Sequence, residues 1–401
     1  MKIIKDPVHG YIEVPGYILP ILDAPALQRL RYIRQLGFSY LVYPGANHTR
    51  FEHSLGTMFL ADMMARQLLL SPDERQLVIS TALIHDIGHG PFSHAIEPAM
   101  EELCGRAHHD TVWLAEDVDL SAILPGHGID TGQSSALLKG EHELSGILHG
   151  ELDVDRMDYL LRDAHYTGVP YGTVDAHRLI RNTVISDGQI AIQEGGINAA
   201  ESLLIARTLM RPAVYYHHVS RIAEMMFSHA VYEHFQSTRG AHPASFMRLD
   251  DAGCFQSLLH SPSEVARMLV EGIYCRKMYK RALYVGKDQV NVAMIAQEST
   301  PGKMRDLAAR IAKTAGIEPY EVLVDIPEFP KAMSVHVKVK NRHRVVGLEE
   351  LSPLVTTLNE TRRGQWRLGV YTLPEHVPGV GAAAREILHV KPLTTQDRLP
   401  F

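Results

Sequence analysis

Cysteine is scarce in this chain of 401 residues: only Cys104, Cys254 and Cys275 occur, far apart and in no CxxC pair. That spacing excludes a disulfide framework and fits a reducing, cytoplasmic setting. Long apolar runs are also missing. No stretch approaches the ~18 uninterrupted apolar residues that a membrane-spanning helix needs. The first residues, MKIIKDPVHG, do not have the layout of a signal peptide. Positive charge is not in excess, since 40 Lys and Arg stand against 46 Asp and Glu for a formal net charge of −6. A protein that coats nucleic acid needs the opposite balance. What the chain does have is histidine, 23 in all, and several of them fall in recurrent positions beside aspartate.

The length suggests one large domain followed by a smaller one. Residues 2–14 alternate around a Pro-containing turn and predict a short β-hairpin. From about Leu19 the pattern is helical to about residue 280. Thr49-Arg50-Phe51-Glu52 and Ser71-Pro72-Asp73-Glu74 both read as capping boxes at helix starts. Asn198 with Glu201 is a looser version of the same signal. The polar stretch at about 125–140 predicts a loop, and Asp187-Gly188 a hairpin turn within 183–194. After about residue 283 short strand-like runs (Val322–Asp325, Val335–Val339, Trp366–Thr372) alternate with helices near 302–315 and 380–388. The expected fold is mainly α: a helical domain over 1–283 with an N-terminal hairpin, then a smaller α/β domain over 284–401.

The chemistry concentrates around His85-Asp86, with His53 upstream and Asp155 downstream. A divalent metal acting on phosphate takes mixed imidazole and carboxylate ligands and keeps positions open. His53 falls in the first turn of one predicted helix, His85-Asp86 at the end of another, and Asp155 at the start of a third. Three helix ends can converge inside an α bundle. His89 is spaced to share the face of His85 and Asp86. His94, in GHGPFSH, and His142, in GEHELSG, are further candidates for acid, base or phosphate contact. A two-residue His-Asp pair is common by chance. HTRFEHS, HDIGHGPFSH and DVDRMDYLLRD in that order are much more specific.

Those runs, together with DPVHGYIEV, DAPALQRLRYIRQLG, DVDRMDYLLRDAHYTG and YYHHVSRIAEMM, give the chain a family. From about Lys2 to about residue 235 it resembles the HD-domain superfamily. Within that superfamily it is similar to the deoxynucleoside triphosphate triphosphohydrolase branch, which includes the vertebrate SAM- and HD-domain enzyme. The resemblance implies that His53, His85, Asp86 and Asp155 bind the metal. It implies attack by water at the α-phosphorus, giving a deoxynucleoside and intact triphosphate, with dGTP a candidate preferred substrate. By the same resemblance His94 is the acid beside the leaving oxygen, Glu97 and His142 support it, and His89 contacts phosphate. Gln35 and Asp163 match positions that hold the sugar 3′-hydroxyl, and Tyr159 and Tyr215 match positions packed against the sugar. Arg50, Arg156, Arg207, Arg211 and His218 fall at phosphate-contacting positions. Arg156 and His218 stand where the vertebrate enzyme has lysine, and Arg211 replaces a histidine. Pro212 falls inside the arginine-bearing helix and should kink it.

The family also implies a guanine-nucleotide effector bound between subunits, at positions matching Lys2, Ile3, Asp23, Gln28 and Arg31. That expectation carries a homo-oligomer, a dimer or tetramer, with it. An exposed helix face would place Gln28 and Arg31 equally well. The C-terminal region has no catalytic motif. Its Lys338, Lys340, Arg342 and Arg344 fit a solvated strand edge better than a nucleic-acid contact. Two His and two carboxylates suit Mn²⁺, Fe²⁺, Ni²⁺ or Zn²⁺, with a further Mg²⁺ on the substrate phosphates. Two other readings stay open at this point. One is an HD phosphohydrolase acting on a monophosphate, a cyclic nucleotide or ppGpp; the other is a nucleotide sensor without turnover.

Overall fold

A computed structural model of the chain describes residues 1–104, 118–238, 243–333, 337–341 and 344–392. The hairpin is present: β1 (Lys2–Asp6) pairs antiparallel with β2 (Gly10–Val14). Helix α1 (Arg50–Gln67) starts at Thr49, whose backbone N–H donates to Glu52 Oε2 at 2.6 Å. Helix α2 (Pro72–Ile84) starts at Ser71 with a reciprocal box. There Glu74 N–H donates to Ser71 Oγ at 3.3 Å, and Ser71 N–H donates to Glu74 Oε2 at 2.7 Å. Such boxes satisfy amide donors that a helix start leaves open, so the two starts are fixed by local chemistry.

Helices α3 (Glu97–Cys104), α4 (Val118–Gly126), α5 (Thr131–Lys139) and α6 (Val154–Thr167) follow. The predicted loop at 125–140 is corrected here. Asp130 caps α5 by accepting from Gln133 N–H at 2.9 Å, and Gly140 ends it at φ 80°. The polar stretch that suggested a loop holds the end of one short helix and the whole of a second. After β3 (Thr183–Ser186) and β4 (Gln189–Gln193), α7 spans Ile197–Met210. Its N-cap is Gly196, not Asn198, which lies inside the helix. Pro212 interrupts the regular helix as expected, and Arg211–Tyr215 form a π-helical turn before α8 (His218–Ser237).

Helices α9 (Asp251–Leu259) and α10 (Glu264–Tyr274) pack with α8. The remainder holds β5 (Lys280–Gly286), α11 (Pro301–Ala315), β6 (Val322–Asp325), β7 (Lys338–Lys340), β8 (Val345–Gly347), α12 (Pro353–Gly364), β9 (Arg367–Thr372) and α13 (Val377–Ile387). One sheet has the order β5-β9-β6, all antiparallel, with its own apolar cluster under α11 and α13. The other has the order β3-β4-β7-β8, and β4 and β7 are parallel. It joins residues from both sides of position 283. Val339, Val346, Val355 and Leu358 likewise belong to the core built around β2, α1, α2, α6 and α7. Among the described residues no helix is long and apolar enough to cross a membrane.

Candidate metal centre and the flanking pocket

Helix α1 is buried on most sides, which makes it the axis of the site. It presents His53 to the end of α2, where His85 and Asp86 leave the helix, and to the first turn of α6, where Asp155 follows the capping residue Asp153. His53 Nε2 lies 2.9 Å from Asp155 Oδ1 and 3.8 Å from Asp86 Oδ2. His85 Nε2 lies 3.4 Å from Asp86 Oδ1 and 3.7 Å from Asp155 Oδ1. All four sequence-predicted ligands therefore meet.

The arrangement fits a cation. His85 Nδ1 is 2.8 Å from Ala82 O, so it carries the proton and leaves Nε2 with a lone pair. That Nε2 is buried and has no hydrogen-bond partner. A buried imidazole nitrogen facing two carboxylates without a partner costs free energy unless something binds there. Asp86 is held well below the usual carboxylate range: burial opposes ionisation, but Arg50, His85 and His89 outweigh it. Asp155 is lowered too, because the hydrogen bond with His53 and the nearby His85 overcome its burial. Burial pulls the His53 pKa down, yet Asp155, Asp158 and Asp86 push it up to about 10. Without an ion, a proton on His53 offsets this negative charge.

A second layer fixes the ligands, and most of it was not singled out from the sequence. Asp158 Oδ2 lies 2.8 Å from His53 Nδ1, which turns Nε2 toward the site. The same carboxylate takes His9 Nε2 at 2.6 Å and Arg162 Nε at 2.9 Å, and Arg162 also reaches Asp6 at 2.9 Å. This buried cluster ties the hairpin to α1 and α6. Gly56 makes room for it, because a Cβ there would stand 1.8 Å from Asp158 Oδ1. Arg50, expected at phosphate, is buried and bound to Asp86 Oδ2 at 2.6 Å and Ser93 Oγ at 2.7 Å. Its guanidinium is thus committed to holding a ligand.

The turn after α2 carries His89 and His94. Phe92 and Ser93 both have φ 54°, an unusual backbone for such residues. It is held by Phe92 N–H donating to Asp251 Oδ1 at 2.7 Å and by stacking of Phe92 on Phe38. Glu97 receives His89 on one oxygen and His94 on the other, each at 2.8 Å. His89 Nε2 is 3.3 Å from Asp86. Burial and Arg50 lower the pKa of His89; surrounding protein also lowers that of His94, but Glu97 more than reverses this and raises it. The His94 ring is 68% exposed, open to an incoming molecule.

The His142 ring folds back to accept from Leu144 N–H at 3.0 Å, and its charge acts on Glu74, in the first turn of α2.

Beside the candidate metal ligands lies an aromatic and acidic pocket. Asp163 takes His48 Nε2 on one oxygen and Tyr215 OH on the other, both at 2.8 Å. The Tyr159 ring packs edge-on against both His53 and Tyr215. Gln35 donates its N–H to His48 O at 3.0 Å, and its Oε1 is buried without a partner. The expected cations arrive in different states. Arg156 is bound to Asp153 and Gly150 O, with Nε unpartnered. Arg207 pairs with Glu151. Arg211 lies 4.0 Å over the Tyr216 ring and lines a cavity with Gln365 and Trp366. His218 starts the next helix and does not continue the one that carries Arg207. Burial, Arg281 and His217 lower its pKa to about 4.

The residues matched to an effector site lie at the surface of the first part of the chain. Lys2, Ile3, Asp23 and Arg31 are exposed and Gln28 is half-buried. Gln28 donates to Leu22 O at 2.6 Å and accepts from Arg31 Nε at 2.8 Å, while Arg31 stacks 3.5 Å over Phe51. Lys338, Lys340 and Arg344 are on or beside β7 and β8, and Arg342 lies outside the described residues.

Comparison with known proteins agrees with this geometry. The HD-domain profile matches residues 50–163, which hold all four ligands, and the HD-associated region profile matches 174–399. The chain is 34% identical over 386 residues to an uncharacterised protein of Methanocaldococcus jannaschii, covering 94% of this chain and 80% of that one. It is 33% identical over 310 residues to the deoxynucleoside triphosphate triphosphohydrolase SAMHD1 homolog of Dictyostelium discoideum, covering 70% of this chain but only 59% of that one. Among solved structures, a phosphohydrolase from Bacteroides thetaiotaomicron superposes with a TM-score of 0.75 at 26% identity, covering 93% of this chain and 100% of that one.

Proposed function

This chain belongs to the HD-domain phosphohydrolase family and carries its HD-associated region, and from that premise we propose that it hydrolyses deoxynucleoside triphosphates to deoxynucleoside and inorganic triphosphate. The observation that carries the reading is Tyr159. Its ring borders the metal ligand His53 on one side. Its hydroxyl also feels the charges of Arg156 and Arg207. A molecule lying along Tyr159 would thus have an aromatic wall, the candidate metal ligand His53 and guanidinium charge around it. A monophosphate or cyclic nucleotide has no use for the last of these.

His53, His85, Asp86 and Asp155 would hold one divalent ion; Mn²⁺, Fe²⁺, Ni²⁺ or Zn²⁺ suits the donor set, with Mg²⁺ on the phosphates. When bound, the ion supplies Lewis acidity to the phosphoryl group under attack. The chain's own groups do the rest. His94, held by Glu97 and raised in pKa, is a proton source near neutral pH. In the reaction, water oxygen bonds to the α-phosphorus and gives up one proton to solvent, the bond to the 5′-oxygen breaks, and His94 protonates that oxygen and regains its proton from solvent. Asp163, fixed by His48 and Tyr215, accepts from the sugar 3′-hydroxyl, and the Gln35 side-chain amide donates to the same oxygen. Tyr159 and Tyr215 crowd the 2′ position.

The same reading includes a guanine nucleotide as effector at Lys2, Ile3, Asp23, Gln28 and Arg31, shared between subunits of a homo-oligomer in the cytoplasm. It is supported by the exposure of these groups and by the Gln28–Arg31 pair.

The test is to incubate the protein with each dNTP and rNTP, with Mn²⁺ or Mg²⁺, with and without GTP, and to resolve products by anion exchange. Intact triphosphate from dNTPs alone is expected, and faster with GTP. Phosphate or pyrophosphate as product would move the enzyme to another activity of the family.

A further inference from the structure

Helix α12 carries an arginine where its packing pattern calls for an apolar residue. Val355 and Leu358 face the core, and Arg362 occupies the next position of the same face, only 8% exposed. Its neighbour Arg363 points to solvent. Among the described residues, no carboxylate or carbonyl lies within hydrogen-bond distance of the Arg362 guanidinium. Its charge is repelled by Arg207 and Arg211, and burial together with that repulsion lowers its pKa to about 10. Glu151 attracts it, but Glu151 is already paired with Arg207.

The placement follows from the packing of two helices. Ser352, which caps α12, donates to Glu201 Oε1 of α7 at 2.5 Å, and α12 lies against α7. Gln365, at the C-terminal end of α12, lines one cavity with Arg211, so the end of α12 that carries Arg362 lies beside Arg211. Tyr159 is near the cluster as well, since its hydroxyl acts on Arg362.

A buried charge without a counter-ion, set beside two further arginines, is costly unless an anion joins it. A guanidinium fork matches phosphate oxygens bidentately. We propose that Arg362 closes the polyphosphate seat begun by Arg207 and Arg211 and binds the outermost phosphate of the substrate. The HD-associated region thereby reads the length of the phosphate chain. The inference rests on the triphosphate reading of the pocket given above.

The probe is inorganic tripolyphosphate, with pyrophosphate for comparison, on Mn²⁺-loaded protein. Arg362→Met should weaken tripolyphosphate binding about 10- to 100-fold, the loss of one or two charge-assisted bonds. Pyrophosphate should change by less than about threefold on the same scale. Arg363→Met should match the parent. The melting temperature separates this from a structural role: without ligand, Arg362→Met should melt higher, because a stranded charge is gone. Arg362→Gln, which keeps length and polarity, carries the same comparison if the Met variant does not fold. Equal tripolyphosphate binding by parent and variants overturns the role of Arg362 alone. No binding of tripolyphosphate by the parent removes the triphosphate reading and this inference together.

Discussion

A single carboxylate sets the geometry of the candidate centre. Asp158 takes His53, His9 and Arg162 at once and sits at the crossing of the hairpin, α1 and α6. Asp158→Asn keeps the shape but removes the charge that fixes the His53 tautomer. Metal affinity should fall about 10- to 100-fold. Metal content after dialysis measures this, and a variant that keeps its ion as tightly as the parent would refute the role. His218 shows the opposite case, a residue whose charge state departs from what its position suggests. Where the vertebrate enzyme has lysine, a histidine with pKa near 4 is neutral at pH 7. His218→Gln should therefore leave KM unchanged, and the KM profile from pH 6 to 8 should keep its shape. His218→Lys should lower KM by adding a cation. A KM that rises only in the Gln variant below pH 7 would show that His218 binds phosphate in its charged form.

At the scale of elements, α1 and α6 approach through Gly56. A methyl there would stand 1.8 Å from Asp158 Oδ1 and 2.4 Å from Arg162 Nη2. Both groups are locked by their own ion pairs, so relief must come from the helices moving apart. Gly56→Ala should cost about 2–4 kcal/mol and lower the melting temperature. A variant melting with the parent would mean that the helix contact yields easily. Elements of this kind divide into those the sequence makes plain and those it does not. Thr49, Ser71 and Asp187-Gly188 act on residues a few positions away, so their helix starts and hairpin could be read directly. The four ligands were legible for a related reason, since each lies at a helix end inside a long motif. What is set by distant partners was not. Arg207, Arg211 and His218 are spaced in the sequence as on one helix, but the π turn at Arg211–Tyr215 changes the phase and a new helix begins. Arg50 and Arg207 look like free cations until their partners Asp86 and Glu151 are known. Arg362 had no signal at all, because its meaning comes from α7.

The whole molecule is held together by contacts between sequence-distant parts. Strand β7 lies parallel to β4, Arg221 of α8 reaches Asp325 of β6 at 2.6 Å, and Tyr371 OH donates to the same carboxylate at 3.0 Å. Helix α11 docks on the helical core through Arg305, which stacks 3.5 Å over Tyr232 and pairs with Glu102. His229 is half-buried near this junction. Burial and the charge of Arg305 lower its pKa to about 4, and the Glu233 carboxylate 3.8 Å away does not reverse this. A histidine in the unfolded chain titrates near 6.5. Between that value and about 4 the unfolded state binds a proton that the folded state refuses, so stability falls as pH falls through this window. The contribution is on the order of 2–3 kcal/mol by pH 4. It is absent above about pH 7, where both states are neutral. His229→Gln removes the titrating group. Its melting temperature should therefore drop less than the parent's between pH 7.5 and 4.5, whatever the difference at pH 7.5. Parallel curves for the two proteins would show that acid loosens the molecule somewhere other than the seam between α8 and α11.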